Sequence, residues 1–415
     1  MAKFSDYFLR ENPFPETAVI DPSSEDMRIN GTIFLEDIFR KEVESLRRKT
    51  ELGINVVYLS GIKYDKGIGK SALLIHHWRE CRELKRSTSL YIRCHERDNA
   101  RDTCRKVIEH WHREGYLWDT FKTAFTEFSR ERGDPRLAQD AVQALLDANP
   151  SLPRSLPLTL YTQIRSERTL AENLARWVAE RTKSRSENLI PLFESYLTKP
   201  LEFPEALKGR SIDPIEVYHD ILKFMNGFAY KRHFVFLDQF EDLVMGTGKA
   251  RMGLLCVALK RMIEASAGKV MLFVTLHPNS ETYLRMQEAK DLTGVAPLDG
   301  VHRVDVMLLD TRGDSAVSLA VEYFRHFRVG TPPYPTFPIR PELVEFMCYM
   351  QQGVIRGFLQ HLHNCLEYGL LISVPEITLE FALEHPLEIF GRVVEPSHLD
   401  GFKKIKGQGA RDDLK

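Results

Sequence analysis

A chain of 415 residues, 43% hydrophobic and 28% charged, carries enough apolar surface for a large core, which excludes a wholly disordered polypeptide. Its 57 Lys and Arg against 58 Asp and Glu leave a formal charge of -1, so no global field draws it to nucleic acid or to an anionic membrane. No apolar run approaches the roughly 20 residues of a membrane span. The N-terminal MAKFSDYFLRENPFP has no apolar signal core, and Cys81, Cys94, Cys104, Cys256, Cys348 and Cys365 show no C-x-x-C spacing. The expectation is a cytoplasmic protein with no membrane partner, disulfide framework or zinc ribbon.

In chain order, residues 1–50 read as a polar, proline-bearing leader and then an amphipathic helix in LEDIFRKEVESLRRK, with Leu35, Ile38, Val43 and Leu46 on one face. VVYLS (56–60) is a short apolar strand. A glycine loop follows, then the helical KSALLIHHWRECRELKR, where Leu74, Trp78 and Cys81 fall at i, i+4 and i+7. Four more strands are expected in SLYIRC (89–94), HFVFLD (233–238), KVMLFVTL (269–276) and VDVMLL (304–309). Near-continuous apolar runs of this kind, separated by helical patterns, predict an α/β fold with a parallel sheet covered on both faces.

Residues 98–230, between the second and third strands, show helix signals with Ile108, Trp111, Leu117, Phe121, Phe125, Leu145, Leu174 and Trp177 as expected core positions. That length exceeds an ordinary crossover and reads as a helical insertion or subdomain that would recognise a partner. With it, the central domain spans 51–330. The prolines of VGTPPYPTFPIRP (329–341) predict a boundary. ELVEFMCYMQQ and VIRGFLQHLHNCLEYGLL would then form a small helical lid over 331–385, and 386–415, poor in apolar residues, would be a tail whose last residues are mobile.

The chemistry concentrates at two places. In GIKYDKGIGKSALL, the residues Gly67, Ile68, Gly69, Lys70, Ser71 and Ala72 stand where a phosphate-binding loop would turn its N–H groups toward an anion at a helix N-terminus. Lys70 would reach the β- and γ-phosphates of a nucleotide, and Ser71 would ligate Mg²⁺. Tyr64 stands where the usual pattern has its first glycine, and Gly61 lies three residues earlier, as if the loop were lengthened. The plain alternative is a glycine-rich turn before an amphipathic helix. In HFVFLDQFEDLV, Asp238 closes an apolar strand and is followed by Glu241 and Asp242. An acidic residue there holds the water shell of Mg²⁺, and a second orients the attacking water. The plain alternative is an acidic helix cap.

GIGKSALL, FVFLDQFEDLV, the five-strand pattern and GVIRGFLQHL resemble the AAA+ P-loop ATPases, and within them the origin-recognition initiators and the STAND ATPases. The resemblance covers about residues 35–375 outside the helical insertion. It implies a strand order 5-1-4-3-2, a lid closing over ATP and Mg²⁺, and a homo-oligomer. It also implies site roles: Thr275 or His277 as the polar sensor after the fourth strand, Arg303 as an arginine finger for a neighbouring subunit, and Arg356 as the lid arginine. Gln239 departs from the family's Asp-Glu pair, so either Glu241 supplies the carboxylate or hydrolysis is slow. The functional expectation is an ATP-hydrolysing switch or motor with a partner effector protein and nucleic acid as a candidate partner, acting in DNA transactions or defence against mobile DNA. The alternative is a regulatory scaffold with little turnover and no direct DNA contact; a phosphotransferase would not need the lid arginine. His110 with His112, and His361 with His363, stand two apart on helical segments and point to different faces, so they are not expected to bind metal.

Overall fold

Runs rich in Val, Ile and Phe form the strands where the sequence places them, because branched and aromatic side chains pack well on a pleated surface. The computed structural model describes residues 3–61, 66–95, 100–132, 168–198, 213–240, 242, 249–266, 268–286, 289–311 and 314–412. Its strands are β1 (Val56–Gly61), β2 (Ser87–Arg93), β3 (Arg232–Asp238), β4 (Val270–Thr275) and β5 (Arg303–Val306). They form one parallel sheet in the order β2-β3-β4-β1-β5, which is the order that the resemblance implied. β5 is shorter than expected and stops at Val306.

The helices are α1 (Arg40–Glu51), α2 (Lys70–Arg82), α3 (Ala100–Arg113), α4 (Tyr116–Arg132), α5 (Arg168–Thr182), α6 (Ser186–Thr198), α7 (Pro214–Phe228), α8 (Lys249–Ala265), α9 (Pro278–Leu284), α10 (Lys290–Val295), α11 (Ser315–Phe327), α12 (Pro341–Met350), α13 (Ile355–Leu371), α14 (Leu379–Glu384), α15 (Pro386–Phe390) and α16 (Pro396–Asp412). None is long and apolar enough, among the described residues, to cross a membrane.

The chain does not divide serially. It forms two compact units, one of Arg48–Tyr58 and Trp78–Arg303, the other of Met1–Arg47, Leu59–His77 and Val304–Lys415. In the first unit β2 and β3 pair from Ser87↔Arg232 to Arg93↔Asp238, and β3 pairs with β4 from His233↔Val270 to Leu237↔Val274. The helices expected as a separate insertion share one apolar core with these strands: Trp111, Leu117, Phe121, Leu174, Leu192 and Phe224 cluster with Leu90, Val235 and Leu272. Leu145 lies outside the described residues. The core also contains a polar chain that ends at His233, whose Nε2 is buried without a partner among the described residues. Trp111 Nε1 donates to Thr88 Oγ1 at 3.1 Å, which leaves the Thr88 hydroxyl proton for His233 Nδ1 at 3.0 Å. Burial, with the charge of Lys269 second, pushes the His233 imidazole down to about 3, so it is neutral.

In the second unit the leader is built into the C-terminal helices. Phe14 is fully buried, edge-on to Phe324 at 5.0 Å, and Leu9 makes an antiparallel bridge with Arg328. Tyr7 Oη donates to the Val374 carbonyl at 2.5 Å, and Asn12 Nδ2 to the His363 carbonyl and Glu367 Oε1 at 3.1 and 2.9 Å. The proline stretch is irregular, as expected, but it is no boundary. Arg328 reaches into it and donates to the carbonyls of Pro335 and Phe337. Part of the tail is a docked helix: α16 runs to Asp412, and Phe402, 1% exposed, packs edge-on to Phe346 at 5.3 Å, while the last residues, 413–415, lie outside the described ones. One well-placed aromatic anchors a helix whose overall polarity suggested none.

Candidate functional site

The glycine loop belongs to the second unit. Residues 62–65, with Tyr64 and Asp65, lie outside the described residues, so the lengthened-loop expectation is not addressed there. From Lys66 onward the geometry is specific. Gly67 and Gly69 take φ of 83° and 97°, the left-handed region that a Cβ disfavours, and α2 begins at Lys70. Ile68 points inward at 1% exposure, Lys70 is buried, and Ser71 and Ala72 are half-buried in the first helical turn.

Both glycines also permit close approach. A Cβ on Gly67 would lie 2.6 Å from Arg356 Cβ and 3.2 Å from Val354 Cγ1; one on Gly69 would lie 2.8 Å from Phe39 Cζ and 3.3 Å from Ile355 Cδ1. The Arg356 N–H donates to the Gly67 carbonyl at 2.9 Å. Arg356 is therefore brought to the loop through its backbone, while its Nε donates to the Ala18 carbonyl of the leader at 3.3 Å. Phe39 stacks on Phe34 at 5.3 Å, and Phe34 stacks on His76 of α2 at 4.3 Å.

Asp238 belongs to the first unit, at the C-terminal end of β3, and is 3% exposed. Its carboxylate is held from two strands. Tyr91 Oη donates to Oδ2 at 2.5 Å, and Thr275 Oγ1 donates to Oδ1 at 3.0 Å. The Gln239 N–H points at both Asp238 Oδ1 and Thr275 Oγ1, each at 3.0 Å. Gln239 takes φ of 55°, a conformation costing a non-glycine residue about 1–2 kcal/mol. Its amide oxygen accepts from Arg93 Nε at 2.8 Å. Glu241 lies outside the described residues, while the Asp242 N–H returns to the Gln239 carbonyl at 3.0 Å.

Of the two candidates after the fourth strand, Thr275 is the one tied to Asp238. His277 is buried and caps the turn into α9, its N–H bonded to Ser280 Oγ at 3.0 Å. Arg303 is 22% exposed in its side chain, and its Nη1 pairs with Glu281 Oε1 at 2.7 Å; Glu281 also takes Arg285 at 2.8 Å. An arginine reaching a neighbour would first have to leave Glu281.

Sequence reasoning missed Tyr91 and Arg93. They are the two half-exposed positions of an otherwise buried strand, two residues apart and so on one face; the sequence shows only two polar-tipped side chains alternating with apolar ones, which does not point to Asp238. The histidines of the two pairs each meet a different neighbour. His110 contacts Arg113 at 2.8 Å, His112 contacts Tyr196 Oη at 2.8 Å, His361 contacts Gln351 Nε2 at 2.9 Å, and His363 Nδ1 lies 2.9 Å from the Phe14 carbonyl. The six cysteines are free thiols and all buried, and burial pushes Cys81, Cys104, Cys256 and Cys348 up to about 12, so none of these four is poised as a nucleophile. No protein-family model matches the chain, and no curated protein matches it in sequence.

Proposed function

We propose that this chain binds ATP with Mg²⁺, hydrolyses it slowly and uses the bound nucleotide as a conformational switch. The observation that carries the reading is local: β1 leads toward two left-handed glycines at 67 and 69, and a 13-residue helix starts at the next residue, Lys70. Such a backbone gathers N–H groups at the positive end of a helix, where a polyphosphate is stabilised. In this reading Gly67, Ile68, Gly69, Ser71 and Ala72 bind phosphate through the main chain, Lys70 neutralises the β- and γ-phosphates, and Arg356 senses the nucleotide. Ser71 offers a hydroxyl and Asp238 a carboxylate, oxygen donors of the type Mg²⁺ selects, and the resemblance gives each a role toward that ion. When bound, the ion supplies charge neutralisation at the terminal phosphate. Asp238, fixed by Tyr91 and Thr275, would serve the ion, and Glu241 would orient the attacking water.

Gln239 favours low turnover and so lends weight to the regulatory-scaffold alternative. With its oxygen committed to Arg93, the amide presents N–H donors and takes no proton from water. The resemblance extends the reading to a homo-oligomer in which Arg303 serves a neighbour, partnered by an effector protein in DNA transactions or defence against mobile DNA.

The test is ATP binding and turnover by the wild type, Lys70→Ala and Glu241→Gln. Lys70→Ala should lose binding, and Glu241→Gln should keep binding while losing turnover. Equal behaviour of all three proteins would sink the assignment.

A further inference from the structure

The N-terminal edge of the sheet in the first unit carries cations in an arrangement unlike the rest of the surface. Arg86 immediately precedes β2, Lys231 and Arg232 open β3, and Lys269 immediately precedes β4. Two backbone hydrogen bonds fix them as neighbours: Lys231 N–H to the Arg86 carbonyl and His233 N–H to the Lys269 carbonyl, each at 2.8 Å. All four are exposed. Several exposed arginines elsewhere are paired with carboxylates, as Arg40 is with Asp37, Arg185 with Glu216, Arg285 with Asp299 and Arg325 with Glu322, whereas those unpaired among the described residues, such as Arg48, Arg130 and Arg261, do not stand on adjacent strands. Among the described residues Arg86, Arg232 and Lys269 have no acidic partner, and Lys231 is bonded through Nζ to the Asn226 carbonyl, which leaves its charge uncompensated. Lys85 adds a fifth exposed cation in the turn before β2; Glu83 opposes it there, and Arg82 is taken by Glu114 at 3.6 Å.

We infer that this edge binds the phosphodiester backbone of a nucleic acid. Three adjacent strands at about 4.8 Å spacing put the row across about 10 Å. A nucleic-acid strand at about 3.4 Å per phosphate presents about three charges over that length, which matches the unpaired cations. The chain's net charge of -1 makes the contact local rather than a whole-molecule attraction. A row of backbone-directed cations reads no base, so the contact is independent of sequence. The edge is also separate from Asp238: from Arg232 to Asp238 is the whole length of β3, about 20 Å at strand rise. Nucleic acid on one end of the strand therefore leaves the other end open.

Anisotropy of fluorescein-labelled 20-mer DNA, single-stranded and duplex, at 50, 100 and 200 mM salt tests the inference. Neutralising three to four phosphates predicts a duplex affinity falling about 40- to 150-fold over that range. The variant Arg86→Glu/Lys231→Glu/Arg232→Glu/Lys269→Glu should abolish binding at 50 mM. A charge-matched control, Lys41→Glu/Arg48→Glu/Lys403→Glu/Lys404→Glu, should bind as the wild type does. If the reversal variant fails to fold by circular dichroism, the corresponding four Gln substitutions should still flatten the salt dependence. No wild-type binding at 50 mM, an affinity indifferent to salt, or equal loss in the control overturns the inference. So does tighter binding to phosphatidylserine vesicles than to DNA that is lost in the edge variant, which would assign the row to a membrane surface. Lys70→Ala should bind DNA as the wild type does, so the test stands apart from the nucleotide reading.

Discussion

Replacing Gly67 by Ala asks the glycine loop to do two things it avoids. The residue sits at φ 83°, where an L side chain costs about 1–2 kcal/mol. The new Cβ would also lie 2.6 Å from Arg356 Cβ, an atom fixed to the start of α13 rather than the loose end of a side chain. Forcing such a contact apart costs about 1–3 kcal/mol more. The sum is a destabilisation of about 2–5 kcal/mol. Gly391→Ala separates the two terms, because Gly391 has φ 66° in the same unit and nothing within 4 Å of an added Cβ. It should lose only the backbone share. Urea unfolding followed by circular dichroism measures both, and Gly67→Ala/Arg356→Gly, which removes the opposing Cβ, should show a favourable coupling in a double-mutant cycle. If Gly67→Ala costs no more than Gly391→Ala, the close approach is not what demands a glycine there.

Tyr91→Phe removes a hydroxyl that donates to a buried carboxylate, which should lower stability by about 1.5–3 kcal/mol. In an Asp238→Asn background the loss should shrink by more than half in the same urea assay; an undiminished loss would show that Tyr91 matters through packing alone. His361 supplies a pH dependence. Burial, with Arg392 second, pushes it down to about 4, so below its ordinary value of 6.5 the unfolded chain takes up a proton that the folded chain refuses. Its contribution is complete above pH 6.5 and is lost as the pH falls toward 4, about 2 kcal/mol of it between pH 7 and pH 5. His361→Gln should therefore reduce the fall in melting temperature between those two pH values, and an unchanged fall would place the titration elsewhere.

The strands were legible because a buried parallel strand leaves a run of apolar residues that nothing else produces at that length, as FVFLD in β3 shows. The glycine loop was legible because a left-handed turn into a helix favours glycine, as at 67 and 69, and Asp238 because a carboxylate closing an apolar run stands out. What supports them was not. Tyr91 reaches Asp238 across 147 residues of chain, and Arg356 reaches Gly67 through a backbone N–H that any residue but proline could supply. The role of the leader was hidden for a related reason. Phe14 and Tyr7 stand in a segment without helical or strand periodicity, and only the three-dimensional neighbourhood of Phe324 and Val374 shows that they complete a core. Phe402 misled in the same way, since one residue decides whether a polar helix docks.

The close packing at the loop also bears on how a switch could work. Gly67 gives its carbonyl to the N–H of Arg356 and has no side chain to cushion the contact, while Gly69 rests against Phe39 and Ile355. Packed groups of this density do not deform smoothly; they hold one arrangement or change to another. A shift of the loop backbone must therefore be taken up by the start of α13 or by the segment around Phe39. Through Arg356 Nε it also pulls on Ala18, and hence on the leader threaded among the C-terminal helices. A ligand at Gly67 and Gly69 would therefore act on a segment that the leader contacts. The glycines are thus a mechanical joint whatever they bind: each is held at a left-handed φ and each admits a close neighbour that a Cβ would displace.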